Sequence, residues 1–216
     1  MYKYFIFDLD GTLANTLTDL KNAMNRMLRG FSFPEKDEAG ILESINHGVV
    51  AFVRGCLPDD KREDGELLDK ALEIYQSCYK EEYLNTTHPY PCVPEALEHL
   101  KSRGAKMAVF SNKQDEMTKA ICDKLFPNIF DEVLGGRNGR FHHKPSPEGA
   151  LYLAEQLGAS PDEIAFVGDS DVDMQTAKNA GMHPIGVSWG FRPPELLSEL
   201  GAETIIDGID DFKNLI

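Results

Sequence analysis

From residue 93 onward, short apolar runs alternate with segments whose apolar residues recur at helical spacing, and this alternation limits the chain to few architectures. Ala105 to Phe110 and Ile164 to Val167 read as buried strands, with weaker ones at Glu132 to Leu134, Pro184 to Val187 and Thr204 to Ile206. Between them, helices are predicted over Pro94 to Ser102, Gln114 to Leu125, Pro147 to Leu157 and Val172 to Ala180, the last ended by Gly181. Near the N-terminus, Tyr4 to Leu9 is another apolar run, closed by carboxylates and the turn residues Asp10, Gly11 and Thr12. Such a succession calls for parallel strands joined by right-handed crossover helices, an α/β fold with a doubly wound parallel sheet.

Between about Asn15 and Thr87 the alternation stops. Leu17, Leu20, Ala23, Met24, Met27 and Leu28 share one helical face, and further helix-like runs follow at Glu38 to Ile45, Val49 to Cys56 and Glu66 to Tyr83. Turn-rich breaks at Gly30 to Pro34 and Pro58 to Asp60 separate them. Four successive helices after a single strand are too many for an ordinary crossover. The predicted organisation is therefore a core of residues 1–14 and 88–216 with a helical cap over 15–87. A length of 216 residues, against roughly 150 per domain, suits a core with one sizeable insertion.

With 22 Lys and Arg against 36 Asp and Glu, the formal charge is −14, which disfavours nucleic acid or an anionic membrane surface as a partner. Cys56, Cys78, Cys92 and Cys122 show neither a CxxC pair nor metal-ligand spacing and read as unpaired thiols of a reducing compartment. Met1 to Phe7 is too short an apolar run for a signal peptide, and no stretch approaches the roughly 18 apolar residues of a membrane span. The expectation is a cytoplasmic protein.

Polar clusters follow the C-terminal ends of the predicted strands, where open parallel sheets bind ligands. Asp8 and Asp10 follow the first, Ser111, Asn112 and Lys113 the second, and Gly168, Asp169, Ser170, Asp171 and Asp173 the Ile164 strand. Two carboxylates at i and i+2 would share one face of a continuing strand and repel each other, and a cation removes that cost. With Asp169 added, the hard oxygen donors describe a Mg²⁺ site; calcium is disfavoured because no loop has EF-hand spacing. Taken singly, each cluster has a plainer reading: solvated aspartates in a turn, or an acidic loop capping the helix near Val172.

Lys144 lies just before a predicted helix N-terminus, with Ser146 as its N-cap and Pro147 as its first residue, where an ammonium can counter carboxylates and a bound phosphate. His142 and His143, adjacent in sequence, read as loop residues. Ser111 and Asn112 offer a hydroxyl and an amide to phosphate oxygens, or cap the helix from Gln114. Ser111 is no hydrolase nucleophile, since GxSxG is absent.

Asp8-Leu9-Asp10-Gly11-Thr12-Leu13, Ser111-Asn112-Lys113, Lys144-Pro145 and Gly168-Asp169-Ser170-Asp171-Val172-Asp173, in that order, resemble the haloacid dehalogenase superfamily, and most closely its phosphoglycolate-phosphatase-like branch. The resemblance covers nearly the whole chain and implies a Rossmann-like core with a helical cap inserted after the first motif. It implies that Asp8 is the nucleophile and forms an aspartyl-phosphate, and that Asp10 is the general acid and then the base. Mg²⁺ would be held by the Asp8 side chain, the Asp10 main-chain carbonyl and Asp169, with Asp173 supporting its waters. Ser111 and Lys144 would hold the phosphoryl group, with Thr12 and Asn112 as secondary contacts. Because dehalogenases of the family lack an acid at the Asp10 position, the resemblance points to phosphoryl transfer.

Asn15 departs from the family pattern, where many relatives carry an acidic residue. In the cap, Asn46, His47, Gly48 and Arg54 are candidates to face a leaving group, with helix capping and solvation as equally good readings. The expected activity is hydrolysis of a small phosphorylated metabolite, 2-phosphoglycolate being the closest family-implied substrate. The nearest alternative is a β-phosphoglucomutase-like enzyme with the same core residues. An alternative of another class, a non-catalytic phosphoacceptor or phosphate-sensing module, is disfavoured by Asp10 and by the cap, since a receiver needs no lid.

Overall fold

The first apolar run forms β1 (Tyr4–Phe7), whose side chains alternate between two covered faces. Ile6 joins Ala108, Phe110, Leu134 and Phe166 in one buried cluster. On the opposite face Phe5 and Phe7 stack at 5.9 Å between ring centroids, and Phe7 meets Phe212 at 6.4 Å. The structure, a computed structural model, describes residues 1–45, 48–136 and 140–216.

After β1 come β2 (Ala14–Asn15), α1 (Leu17–Gly30), α2 (Glu38–Leu42), α3 (Val49–Cys56), α4 (Gly65–Glu82), β3 (His88–Pro89) and α5 (Val93–Ser102). The chain continues through β4 (Lys106–Gln114), α6 (Asp115–Leu125), β5 (Glu132–Gly136), α7 (Glu148–Leu157), β6 (Ile164–Gly168) and α8 (Asp171–Ala180). It closes with β7 (His183–Val187), α9 (Pro194–Glu199), β8 (Thr204–Ile206) and α10 (Ile209–Leu215). Among the described residues no helix is long and apolar enough to cross a membrane. All four cysteines are free.

Six strands form one sheet in the order β5-β4-β1-β6-β7-β8, and every neighbouring pair is parallel. This is the doubly wound α/β fold that the alternation predicts. The chain runs outward from β1 through β4 and β5, then returns to β6 on the other side of β1 and continues outward through β7 and β8. Strand order therefore reverses beside β1, and the C-terminal ends of β1, β4 and β6 border the crevice that this topology creates.

The chain divides into two units, Met1–Asn15 with Pro89–Ile216, and Thr16–His88. The first contains the sheet. In the second, α1 buries Leu20, Ala23, Met24, Met27 and Leu28, and α4 buries Leu68, Ala71, Tyr75, Cys78 and Tyr79. Tyr75 and Tyr79 stack at 5.8 Å, and Phe52 of α3 meets Tyr75 edge-on at 5.6 Å.

Asp19, in the first turn of α1 and fully buried, ties the two ends of this unit together. It accepts hydrogen bonds from Thr86 N (3.0 Å), Thr86 Oγ1 (2.6 Å), Thr87 N (2.9 Å) and Thr87 Oγ1 (2.8 Å). Asp19→Ala leaves these donors without their acceptor, at a cost on the order of 3 kcal/mol. Urea denaturation should show a clearly lower midpoint for this variant. A midpoint equal to wild type would show that the clasp contributes nothing.

Several boundaries differ from the sequence expectation. The second core strand does not end at Phe110: after a register shift it pairs again, Gln114 opposite Gly136, so Ser111, Asn112 and Lys113 lie inside β4. Neither Ser111 nor Asn112 caps α6, whose N-cap is Gln114 without a side-chain hydrogen bond. Pro147 is the N-cap of α7 rather than its first residue, and Ser146 Oγ instead accepts weakly from Glu148 N at 3.4 Å. The helix from Glu38 ends at Leu42.

Candidate active site

Asp8 directly follows β1 and is buried, its main-chain N donating to Val167 O of the adjacent β6 at 2.9 Å. The backbone then turns sharply. Gly11 has φ +84°, and its N donates to Ala14 O at 3.0 Å while Leu13 N donates to Leu9 O at 3.0 Å. The glycine serves both the positive φ and the space, since a Cβ there would lie 2.3 Å from Asp169 Oδ2.

Carboxylate oxygens of Asp8, Asp169 and Asp173 all lie within 4.8 Å of one another, and all three residues are buried. The Lys144 ammonium sits against two of them, 2.8 Å from Asp8 Oδ1 and 2.6 Å from Asp173 Oδ1. The rings of Phe110 and Phe166 flank it, with centroids 5.7 and 5.9 Å away. Asp173 Oδ2 accepts from Ser170 N at 3.1 Å and Ser170 Oγ at 2.5 Å, a capping box at the start of α8. Capping and membership of the carboxylate cluster thus coexist in one residue.

Asp10 stands apart from this cluster. Its Oδ1 faces Lys113 Nζ at 2.8 Å, and both side chains are largely shielded. Ser111 is buried, with its Oγ accepting from Lys113 N at 3.3 Å. Asn112 brackets the Lys144 peptide: Nδ2 donates to Lys144 O at 3.1 Å and Oδ1 accepts from Lys144 N at 2.8 Å. Through that bracket Asn112 sets where the lysine backbone lies.

Burial is the main force raising the Asp8 carboxyl to about 7, joined by the Asp173 charge and opposed by Lys144. Asp169 is raised well above the usual carboxylate range by burial first and then by Asp173 and Asp8. For Lys144 burial works against the charge, but Asp173 and Asp8 outweigh it and raise its pKa. With every group ionised, the carboxylates of Asp8, Asp10, Asp169 and Asp173 would carry two more charges than the ammonium groups of Lys144 and Lys113 neutralise, an excess consistent with the raised pKa of Asp8 and of Asp169. Asp8 Oδ1 also lacks a hydrogen bond of good geometry despite the nearby ammonium. A small divalent cation with oxygen ligands fits this donor set in both charge and chemistry.

Lys113 completes the Ser111-Asn112-Lys113 motif, but nothing local in the sequence signals its pairing with Asp10. Tyr90 and the loop after β7 likewise carry no local signal. The Tyr90 hydroxyl is raised in pKa by burial and by the charges of Asp169 and Asp10, which places it beside the cluster. His142 pairs with Glu148 at 2.9 Å, a loop contact. Of the cap candidates, Gly48 is the N-cap of α3 at φ +84° and Arg54 is exposed on α3, while Asn46 and His47 lie outside the described residues.

Residues 5–187 match the family model of haloacid dehalogenase-like hydrolases. Over 190 residues the chain is 35% identical to a phosphoglycolate phosphatase of Aquifex aeolicus, covering 88% of this chain and 86% of that protein. It is 31% identical to a phosphoglycolate phosphatase of Haemophilus influenzae, over 100% of this chain and 97% of that one. Among solved structures, a candidate phosphoglycolate phosphatase of Lactobacillus delbrueckii subsp. bulgaricus superposes with a TM-score of 0.92 at 29% identity, covering 100% of this chain and 98% of its own.

Proposed function

The chain belongs to the haloacid dehalogenase-like hydrolases, and on that footing we propose that it is a Mg²⁺-dependent phosphatase that hydrolyses a small phosphomonoester of the phosphoglycolate type through an aspartyl-phosphate. The observation that carries this reading is the buried Asp8 carboxylate at the β1 end, held 2.8 Å from Lys144 within the Asp169 and Asp173 cluster. Asp8 and Asp169, with the Asp10 main-chain carbonyl, are the residues to hold the ion, and Asp173, already bonded to Ser170 and Lys144, would support its waters. When bound, Mg²⁺ supplies positive charge that offsets the carboxylates and the phosphoryl oxygens.

The remaining steps belong to the protein's own side chains. An Asp8 oxygen attacks phosphorus, the bond from phosphorus to the ester oxygen breaks, and Asp10 gives its proton to the departing alkoxide. Asp10, now a carboxylate, takes a proton from water as that water attacks phosphorus, releasing inorganic phosphate and restoring Asp8. Lys144 and Ser111 hold the phosphoryl oxygens throughout. Asn112 acts on Lys144 through the peptide bracket, and Lys113 orients the Asp10 carboxylate. The four free thiols support a cytoplasmic location.

Phosphate release from a panel of small phosphomonoesters, with Mg²⁺ or with EDTA, tests the assignment. Selective turnover that EDTA abolishes, with 2-phosphoglycolate among the best substrates, is the expected result. Isomerisation of β-glucose 1-phosphate with little phosphate release would overturn it in favour of a mutase.

A further inference from the structure

Asp169 is held from several directions by residues distant in sequence. Thr12 Oγ1 donates to its Oδ1 at 2.9 Å, and Phe191 N donates to its Oδ2 at 2.8 Å. Gly190 packs so closely that a Cβ there would lie 2.1 Å from the Asp169 Cβ and 2.7 Å from its Cγ. The loop carrying Gly190 and Phe191 is itself anchored: Ser188 N donates to Ile206 O at 3.0 Å, and Trp189 Nε1 donates to Thr12 O at 3.0 Å. The indole packs between Tyr90 and Phe212, with ring centroids 6.1 and 6.3 Å away.

We propose that the Ser188–Arg192 loop is a positioning element that locks the Asp169 carboxylate in the orientation required for the divalent cation, with Gly190 as the residue that admits it. Each carboxylate oxygen receives one protein donor, which fixes the rotamer and leaves a second lone pair on each oxygen for a cation. Trp189 ties the loop to the turn after β1, so the groups flanking Asp169 from β1 and β7 are set by one shared contact. The inference rests on the metal reading above.

Mn²⁺ binding followed by electron paramagnetic resonance, with the melting temperature of each metal-free variant as a check on folding, provides the test. Gly190→Ala is expected to weaken Mn²⁺ about 10- to 100-fold, the range typical for loss of an outer contact to a ligand. Thr12→Val, which keeps shape but removes the donor, should weaken it about 10-fold, and Thr12→Ser, which restores the hydroxyl, should recover most of the loss. If Gly190→Ala does not fold, the Thr12 pair decides. Folded Gly190→Ala and Thr12→Val proteins that bind Mn²⁺ as wild type does would overturn the cradle alone. Failure of the wild-type protein to bind Mn²⁺ would overturn the metal reading itself.

Discussion

Asp8→Asn is expected to lower phosphate release by on the order of 10⁴-fold or more while making the metal-free protein more stable at pH 8. The loss of rate follows from replacing the attacking carboxylate by a far less nucleophilic amide, which no neighbour makes good: Asp173 is engaged with Ser170 and Lys144, and Asp169 with Thr12 and Phe191. The gain in stability follows from the cost of ionising a carboxylate whose pKa burial and Asp173 have raised to about 7. A neutral amide of the same shape avoids that cost, and Lys144 keeps its 2.6 Å contact with Asp173. Urea denaturation in EDTA should show a gain of about 2 kcal/mol at pH 8 that shrinks toward pH 5, where wild-type Asp8 is already neutral. Asp8→Asn with near-normal turnover would dismiss the nucleophile. A variant less stable than wild type at pH 8 would contradict the electrostatic account.

The second large effect concerns pH and metal together. Between about pH 4 and pH 7 the native state retains the Asp8 proton that the unfolded chain has released. The native state then binds more protons, so stability falls as pH rises, opposite to the usual salt-bridged aspartate. For Asp8 alone the loss through pH 7 is on the order of a few kcal/mol, equivalent to roughly 5–10 °C in melting temperature for a chain of this size. The high negative charge of the chain acts in the same direction, so the difference between wild type and Asp8→Asn isolates the site. Mg²⁺ at about 100 times its Kd should return roughly 2.7 kcal/mol, and more visibly at pH 8 than at pH 5, where protons compete for the ligands. Metal-free stability that is flat or rising from pH 5 to pH 8 in wild type would exclude this coupling.

Much of the core could be read in advance because its signals are local. Ile164 to Val167 is a fully buried apolar tetrapeptide bounded by Gly168, and the helix after it carries its own N-cap in Ser170 and its C-terminal glycine in Gly181. The chemistry-bearing aspartates and Lys144 stand out for a related reason: they are charged residues at the ends of apolar runs. The β4 extension has no local signal because Ser111, Asn112 and Lys113 are polar and fall within the register shift between the Phe110 and Gln114 pairings with β5. Helices α9 and α10 are short and have no side-chain cap. The Trp189 loop has no local signal because Trp189 and Phe191 are apolar, while the bonds to Thr12 and Asp169 span 177 and 22 residues. A rule that looks for polar clusters after strands overlooks a contact made by a backbone N–H and a missing Cβ.

The Asp19 clasp has a consequence for how such chains diversify. A segment whose first turn is bonded to Thr86 and Thr87 near its end begins and ends at one place, so lengthening or replacing what lies between adds little closure entropy. The groups assigned to phosphoryl chemistry, Asp8, Asp10, Ser111, Lys144, Asp169 and Asp173, all lie outside Thr16–His88. Changes within that stretch therefore leave the positions of those groups in the sequence untouched, so the two parts of the chain are free to vary separately.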